Sequence, residues 1–362
     1  MKRWKKTMTF LMLLLLGTVL LGCQEFAVDE EGSQGETEAE ETYYELVVGH
    51  IHSKDHTWHK MAERFKEQLE ENTDGKVLVT IRENSQLGSE VEMMQEAIAG
   101  TGVCDLVFTG EDMQAYAEEM GVLGMPYVIN SEAHLNAVLE GEVGEEIKEL
   151  MQEQGLRSLG EVVRGGLYLT SNKKLKNPEK LQDFVLRTSE STVTIAAFEA
   201  LGAKPISMPF SEVYEALKNK TVEGQENTLA NIYDERFYEV QDYVMETGHT
   251  RGWAYFAISE ARFSSFPEEI QIAIEEAAAE AIAYEHELFL ERETLLPQWL
   301  EEKGMEFVKV DQKAFQKIAE EKLIGTLSDA QKEWYQKILE ADPAYVPPVE
   351  AEEEASTEGK TQ

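Results

Sequence analysis

Cysteine is nearly absent: Cys23 and Cys104 are the only two in 362 residues. No disulfide framework holds such a chain, and one this long buries an ample apolar core without it. Positive charge is scarce too, with 33 Lys and Arg against 70 Asp and Glu and a formal net charge of -37. A surface this acidic repels phosphate backbones, which argues against nucleic acid as a partner. Glycine-rich phosphate loops, paired cysteines, a Ser-His-Asp grouping and standard metal-ligand spacings are all missing, so neither enzyme chemistry nor a cofactor has an obvious carrier.

What is present begins with an apolar run. Lys2, Arg3, Lys5 and Lys6 precede the stretch from Met8 to Leu21, and Gly22 stands directly before Cys23. Residues 1–22 have the layout of an export signal. A small residue before the cysteine resembles a lipoprotein box, in which Cys23 is lipid-modified, starts the mature chain and ties it to the outer face of the cell membrane. An ordinary secretory signal followed by a chance cysteine is the alternative. Residues 23–44 are acidic and lack apolar periodicity, as a solvated tether does, and residues 343–362 form a similar tail.

Between these ends, strand and helix patterns alternate. Glu45–Gly49, a helix over Thr57–Asn72 and Lys76–Arg82 read as a βαβ unit. Ser89 caps a helix with Val91, Met94 and Ile98 on one face, and Gly100 ends it. Cys104 to Phe108 reads as a buried strand, helices follow at 131–139 and 144–154, and short β-like runs at 158–163 and 167–170 are expected to cross between lobes. Pro267 opens a long helix, and Pro297 is expected to bend or interrupt its end.

The stretch from Leu181 to His249 carries the strongest site signals. Phe184, Val185 and Leu186 form a short buried strand with Arg187 at its end, and Thr188 to Ser191 supply hydroxyls for a helix start. Ligands of open α/β sheets collect at such strand ends, and a guanidinium fork suits a carboxylate. Pairing with a structural carboxylate is the other reading of Arg187. Ser211 is placed to cap Glu212–Lys218, and Gly224 to Asn227 read as a turn. Asn227 either stabilises that turn or offers an amide that donates to a carboxylate and accepts from a hydroxyl. Trp253 and Tyr255 lie in an aromatic run that suits a pocket wall, although core packing is the default for such residues.

His50, His52, His56 and His59 fall within ten residues. A zinc site, and with it a metal-binding lipoprotein receptor, is one reading. Because the spacing matches no standard ligand pattern, a flexible loop bordering a cleft is the other.

The ordered blocks NSQLGSEVEMMQEAIAG, LRTSES and ALGAKPISMPFSEVYEALKNKTVEGQENTLANIYDERFYEVQDY closely resemble solute-binding proteins of tripartite ATP-independent periplasmic (TRAP) transporters, of the dicarboxylate-binding (DctP) type. The resemblance covers roughly Leu46 to the mid-330s. It implies an α/β, two-lobed periplasmic-binding-protein-like fold, type II-like, with a long helix spanning both lobes. The folded domain is then 45–342: lobe I about 45–160 with a returning segment about 250–280, lobe II about 165–250, and the long and C-terminal helices about 267–342.

The resemblance also implies a non-enzymatic receptor that delivers a small organic acid to a membrane permease driven by an ion gradient rather than by ATP. The acid would be a C4-dicarboxylate, a sugar acid or similar. Arg187 would pair with its carboxylate and Asn227 would orient it. A second family arginine falls at Leu167 here, which makes Arg164, three residues earlier, the substitute candidate, although an odd offset along a strand points a side chain to the opposite face. Glu111, Trp253, Tyr255 and His56 complete the candidate ligand-binding set, Glu111 having a second reading as a solvated loop acid.

Overall fold

The computed structural model describes residues 43–345. The export signal, Cys23, nearly all of the expected tether and residues 346–362 lie outside the described residues.

The first half starts with β1 (Tyr44–Gly49), α1 (Thr57–Asn72) and β2 (Val77–Arg82), the two strands running parallel. Trp58, Met61, Ala62, Phe65 and Leu69 recur at helical spacing on α1 and are all buried. Ser89 forms a capping box with Glu92 at the start of α2 (Glu90–Ala99), and Gly100 closes it at a φ of 62°. β3 (Leu106–Thr109) lies parallel to β1 on the side away from β2. A 3-10 turn at Glu111–Ala115, then α3 (Glu132–Leu139) and α4 (Glu142–Glu153), lead to β4 (Leu156–Ser171). The two short runs expected here are thus one 16-residue strand.

The second half repeats the pattern. β5 (Val185–Thr188), α5 (Thr192–Ala200) and β6 (Lys204–Ser207) form a second parallel unit, with Ser191 capping α5. Arg187 is the next-to-last residue of β5, at the strand's end as expected. α6 (Val213–Lys218) has no side-chain cap, because Ser211 sits inside a preceding 3-10 turn, Phe210–Glu212. Gly224 to Asn227 are not a turn but most of β7 (Gly224–Thr228), parallel to β5. Gly224 is required there: a Cβ would stand 2.2 Å from the carbonyl oxygen of Thr170. α7 (Leu229–Asp234) and the 17-residue β8 (Tyr243–Ser259) follow.

Among the described residues the strands form one sheet in the order β2-β1-β3-β8-β4-β7-β5-β6. The end of β8 closes the first half against β3, and the end of β4 closes the second against β7, both antiparallel. β4 and β8 thus each run through both halves, paired with each other along their length.

The chain then runs through α8 (Glu260–Ser265), α9 (Glu268–Glu293), α10 (Leu296–Glu302), β9 (Glu306–Val308) beside β8, α11 (Gln312–Leu323) and α12 (Asp329–Glu340). Pro297 sits in the first turn of α10, so the long helix is interrupted at 294–295, where proline is tolerated. The front of α9 buries Ile270, Ile274, Ala277 and Ala281 in the cluster built on α1 and β1. Its far end reaches the other half, where Arg292 Nη1 donates to Asp234 of α7 at 3.1 Å. Cys104 is a buried thiol, its pKa pushed up to about 12 by burial.

The histidine loop is packed rather than flexible: His50, His52, His56 and His59 are all 5% exposed or less. His52 and His56 stack with ring centroids 3.8 Å apart, and His50 and His59 share a hydrogen bond of 3.1 Å. Burial lowers the pKa of His50 to about 4 and holds those of His52 and His56 well below the usual imidazole range. Among the described residues no group of three or more His, Cys, Asp or Glu is arranged to hold a metal ion.

Candidate functional site

A cavity of about 960 Å³, counting its open mouth, lies where the chain leaves the parallel strands of both halves. The residues after β3 contribute Glu111 and Asp112, β5 and its exit contribute Arg187, Ser189 and Glu190, β7 contributes Glu226 to Thr228, and the crossing strands supply Arg164, Leu167 and Arg251 to Trp253. Carboxyl ends of parallel strands leave unpaired backbone groups and divergent loops there, as in other open α/β sheets.

Arg187 is 5% exposed. Its Nε and Nη2 donate to the carbonyl oxygen of Met208 at 3.2 and 2.8 Å, while Nη1 makes no hydrogen bond among the described residues. Burial lowers its pKa, and the carboxylates of Glu226, Asp112, Glu111 and Glu190 work against that loss. The ring of Phe210 lies 5.9 Å from the guanidinium.

Asn227 is fixed by a relay. Its Oδ1 accepts from the backbone N–H of Thr228 at 3.1 Å and from Asn231 Nδ2 at 2.5 Å. Asn231 Oδ1 in turn meets His56 Nε2 at 3.2 Å, while His56 Nδ1 accepts from the backbone N–H of Trp58 at 3.1 Å. These partners assign the neutral tautomer with its proton on Nε2, in keeping with the lowered pKa. The Asn227 acceptor is therefore used internally, and only the Nδ2 donors remain for a ligand. His56 is not in the cavity wall; it acts on Asn227 through Asn231.

Arg164 does face the cavity, against the parity expected of an unbroken strand. The β4–β8 register shifts between Val163, paired with Trp253, and Gly165, paired with Gly252, so Arg164 is the extra residue of a β-bulge. A bulge re-aims its side chain, and Arg164 and Leu167 both line the cavity. The guanidinium stacks 4.7 Å over Trp58, which is itself stacked on Phe108. Burial lowers its pKa, opposed by Glu90, Glu111, Glu226 and Glu285.

Glu111 is not a solvated loop acid. Ser189 Oγ and Thr194 Oγ1 donate to its two oxygens at 3.1 and 3.0 Å, and burial, helped by Glu226, pushes its pKa up to about 7. Trp253 lines the cavity, whereas Tyr255 is fully buried behind it and outside the wall. Two residues apart on one strand, the rings meet edge to face at 5.8 Å. The sequence reading missed Glu90, Asp112, Glu226, Arg251 and Phe210. Glu90 reads as a helix-start acid, and only an arginine inside an otherwise apolar run, HTRGWAYF, hinted at Arg251.

An α/β body with two parallel-stranded halves, two crossing strands and an arginine-lined cavity between strand ends defines a cleft-type solute-binding protein. The family described as DctP, bacterial extracellular solute-binding protein family 7, matches residues 48–354, and the chain belongs to it. A solute-binding protein of Roseobacter denitrificans is 36% identical over 285 residues, 78% of this chain and 87% of that one. Its crystal structure, with bound L-galactonate, superposes with a TM-score of 0.79 at 35% identity and covers 82% of this chain and 99% of its own. The 2,3-diketo-L-gulonate-binding periplasmic protein of Escherichia coli is 30% identical over 75% of this chain and 83% of its own length. A TRAP solute-binding protein of Shewanella oneidensis with bound succinate has a TM-score of 0.79 at 26% identity, covering 83% of this chain and 99% of its own. The family is one of extracytoplasmic receptors rather than enzymes, and no helix among the described residues is long and apolar enough to cross a membrane.

Proposed function

We propose that this chain captures a small organic acid by its carboxylate and delivers it to the permease of a TRAP transporter without chemically altering it. The observation that carries the reading is the presence of Arg187 Nη1 and the Asn227 Nδ2 donors in the wall of one cavity, both side chains buried and held by internal hydrogen bonds. Held donors lose little entropy on binding, and burial strengthens a charge-assisted bond. The acidic surface repels anions at long range, so capture depends on these local cations.

The two halves act as lobes, about 45–160 with 250–280 and about 165–250, hinged where Gly165 pairs with Gly252 across β4 and β8, next to Gly166. Closure buries the acid, and the closed form is the one the permease receives. Cys23 carries the lipid that keeps the receptor at the membrane. The support for that is the basic, apolar, Gly-Cys order of the first 23 residues.

Thermal melts against organic acids and divalent metals test the site. An acid at a hundred times its dissociation constant adds about 2.7 kcal/mol to wild type, and Arg187→Ala abolishes the gain. A shift from metals alone, or an equal shift in the variant, refutes the assignment. Intact-mass measurement of membrane-extracted protein tests the anchor, because Cys23→Ala must lose the diacylglycerol mass and leave the membrane fraction.

A further inference from the structure

This inference rests on the carboxylate reading of Arg187 and Asn227 and concerns the remainder of the ligand. Besides those donors, the wall carries five acids. Glu90, Glu111, Asp112, Glu190 and Glu226 line the same cavity as Arg164, Arg187 and Arg251. Two of the acids are incompletely bonded: Asp112 Oδ1 and Glu226 Oε2 are buried and accept no hydrogen bond. Glu226 is 3% exposed, and the nearest imidazole nitrogen, His249 Nε2, stands 3.8 Å from Oε2, beyond hydrogen-bond reach. Arg251 Nε is buried and donates to nothing.

Unmade bonds of this kind describe a ligand in negative. The two carboxylates call for donors and the arginine for an acceptor. A second ligand carboxylate brings acceptors only, and adds like charge beside Glu90, Asp112 and Glu226. An ammonium brings donors only and is repelled by Arg164 and Arg251. A hydroxyl is donor and acceptor at once, and several in a row satisfy both kinds of group.

We propose that Asp112 and Glu226 form a hydroxyl-reading subsite, which makes this receptor specific for polyhydroxylated monocarboxylates, the sugar acids, and rejects aliphatic dicarboxylates. Glu90 borders the subsite and is held by the backbone N–H of Gly110, which donates to its Oε1 at 3.2 Å. Burial, together with the adjacent Glu90 and Glu111, pushes the Asp112 carboxyl well above the ordinary carboxylate range. Hydroxyl donors supply the stabilisation that this desolvated acid lacks.

The test is calorimetric titration of the full chain in mild detergent with D-gluconate, L-galactonate, succinate and L-glutamate. A site built to hydrogen-bond hydroxyls discriminates strongly against analogues without them, so an aldonate is expected to bind at least about 100-fold more tightly than succinate. Asp112→Asn and Glu226→Gln should each weaken the aldonate about 10-fold or more and leave succinate unchanged or tighter. Succinate binding as well as the aldonates overturns the subsite while leaving the carboxylate reading intact, and so does glutamate binding best. Aldonate affinity unchanged in both variants has the same consequence. If Arg187→Ala binds all four acids like wild type, the carboxylate reading itself fails. Thermal melts of each variant separate lost recognition from lost folding, and the wild-type ranking stands as a test without any variant.

Discussion

Replacing Glu285 by glutamine should stabilise the protein at alkaline pH and do nothing at acid pH. Glu285 lies on the inner face of α9, 2% exposed; Thr57 Oγ1 donates to its Oε1 at 2.7 Å, and Oε2 has no partner. Burial pushes its pKa up to about 7 against the pull of the Thr57 hydroxyl, Arg164 and Arg292. An unfolded glutamate titrates near 4.3, so between the two values the folded chain holds a proton that the unfolded chain has lost. The stabilisation belonging to the protonated form is complete below about 4.3 and disappears as pH rises through about 7. At about 1.4 kcal/mol per unit, ionisation of Glu285 above pH 8 costs the fold about 4 kcal/mol. Glutamine keeps the acceptor for Thr57 and cannot ionise. Urea unfolding at pH 4 and pH 8.5 should find Glu285→Gln within about 0.5 kcal/mol of wild type at the first and up to about 4 kcal/mol more stable at the second. Equal differences at both pH values would refute the reasoning, because they would show that packing rather than charge decides the outcome.

Three further outcomes follow from the site geometry. Asn227→Asp replaces the Nδ2 donors by a second acceptor and should lower organic-acid affinity by about 100-fold or more in titration, with Asn227→Ala milder. Gly252→Ala places a Cβ 2.9 Å from Arg164 Cβ and 3.1 Å from Leu167 Cδ1, so ligand affinity should fall even though no ligand contact is removed; unchanged affinity means that the bulge tolerates the shift. His56→Ala removes both the cap of α1 and the partner of Asn231, and should cost about 1–2 kcal/mol in urea unfolding together with a loss of affinity. Stability lost without affinity would leave His56 as a cap alone.

Local features were legible because they depend on neighbours in sequence. The bounds of α1, the Ser89 cap, the Ser191 cap and the break before Pro297 all follow from spacing, hydroxyls and proline geometry within a few residues. Arg187 and Asn227 were likewise visible as an arginine and an amide near strand ends. Their detailed geometry was not: Gly224 to Asn227 look like a turn, yet tertiary pairing with β4 and β5 makes them a strand.

By itself, the sequence determined the α/β alternation, the acidity that argues against nucleic acid and the place of Arg187 beside a short apolar strand. Each of these is a property of composition or of short-range periodicity. Only the tertiary structure decided that Arg164 lines the cavity, because a bulge against β8 cancels strand parity. It alone decided that Tyr255 lies behind the wall, that His56 serves Asn227 through Asn231, and that Glu90, Asp112 and Glu226 meet three arginines around one cavity. Those groups are spread over more than 150 residues of chain, from Glu90 to Arg251, and burial, which sets their charge and their unmade bonds, exists only once the segments have packed.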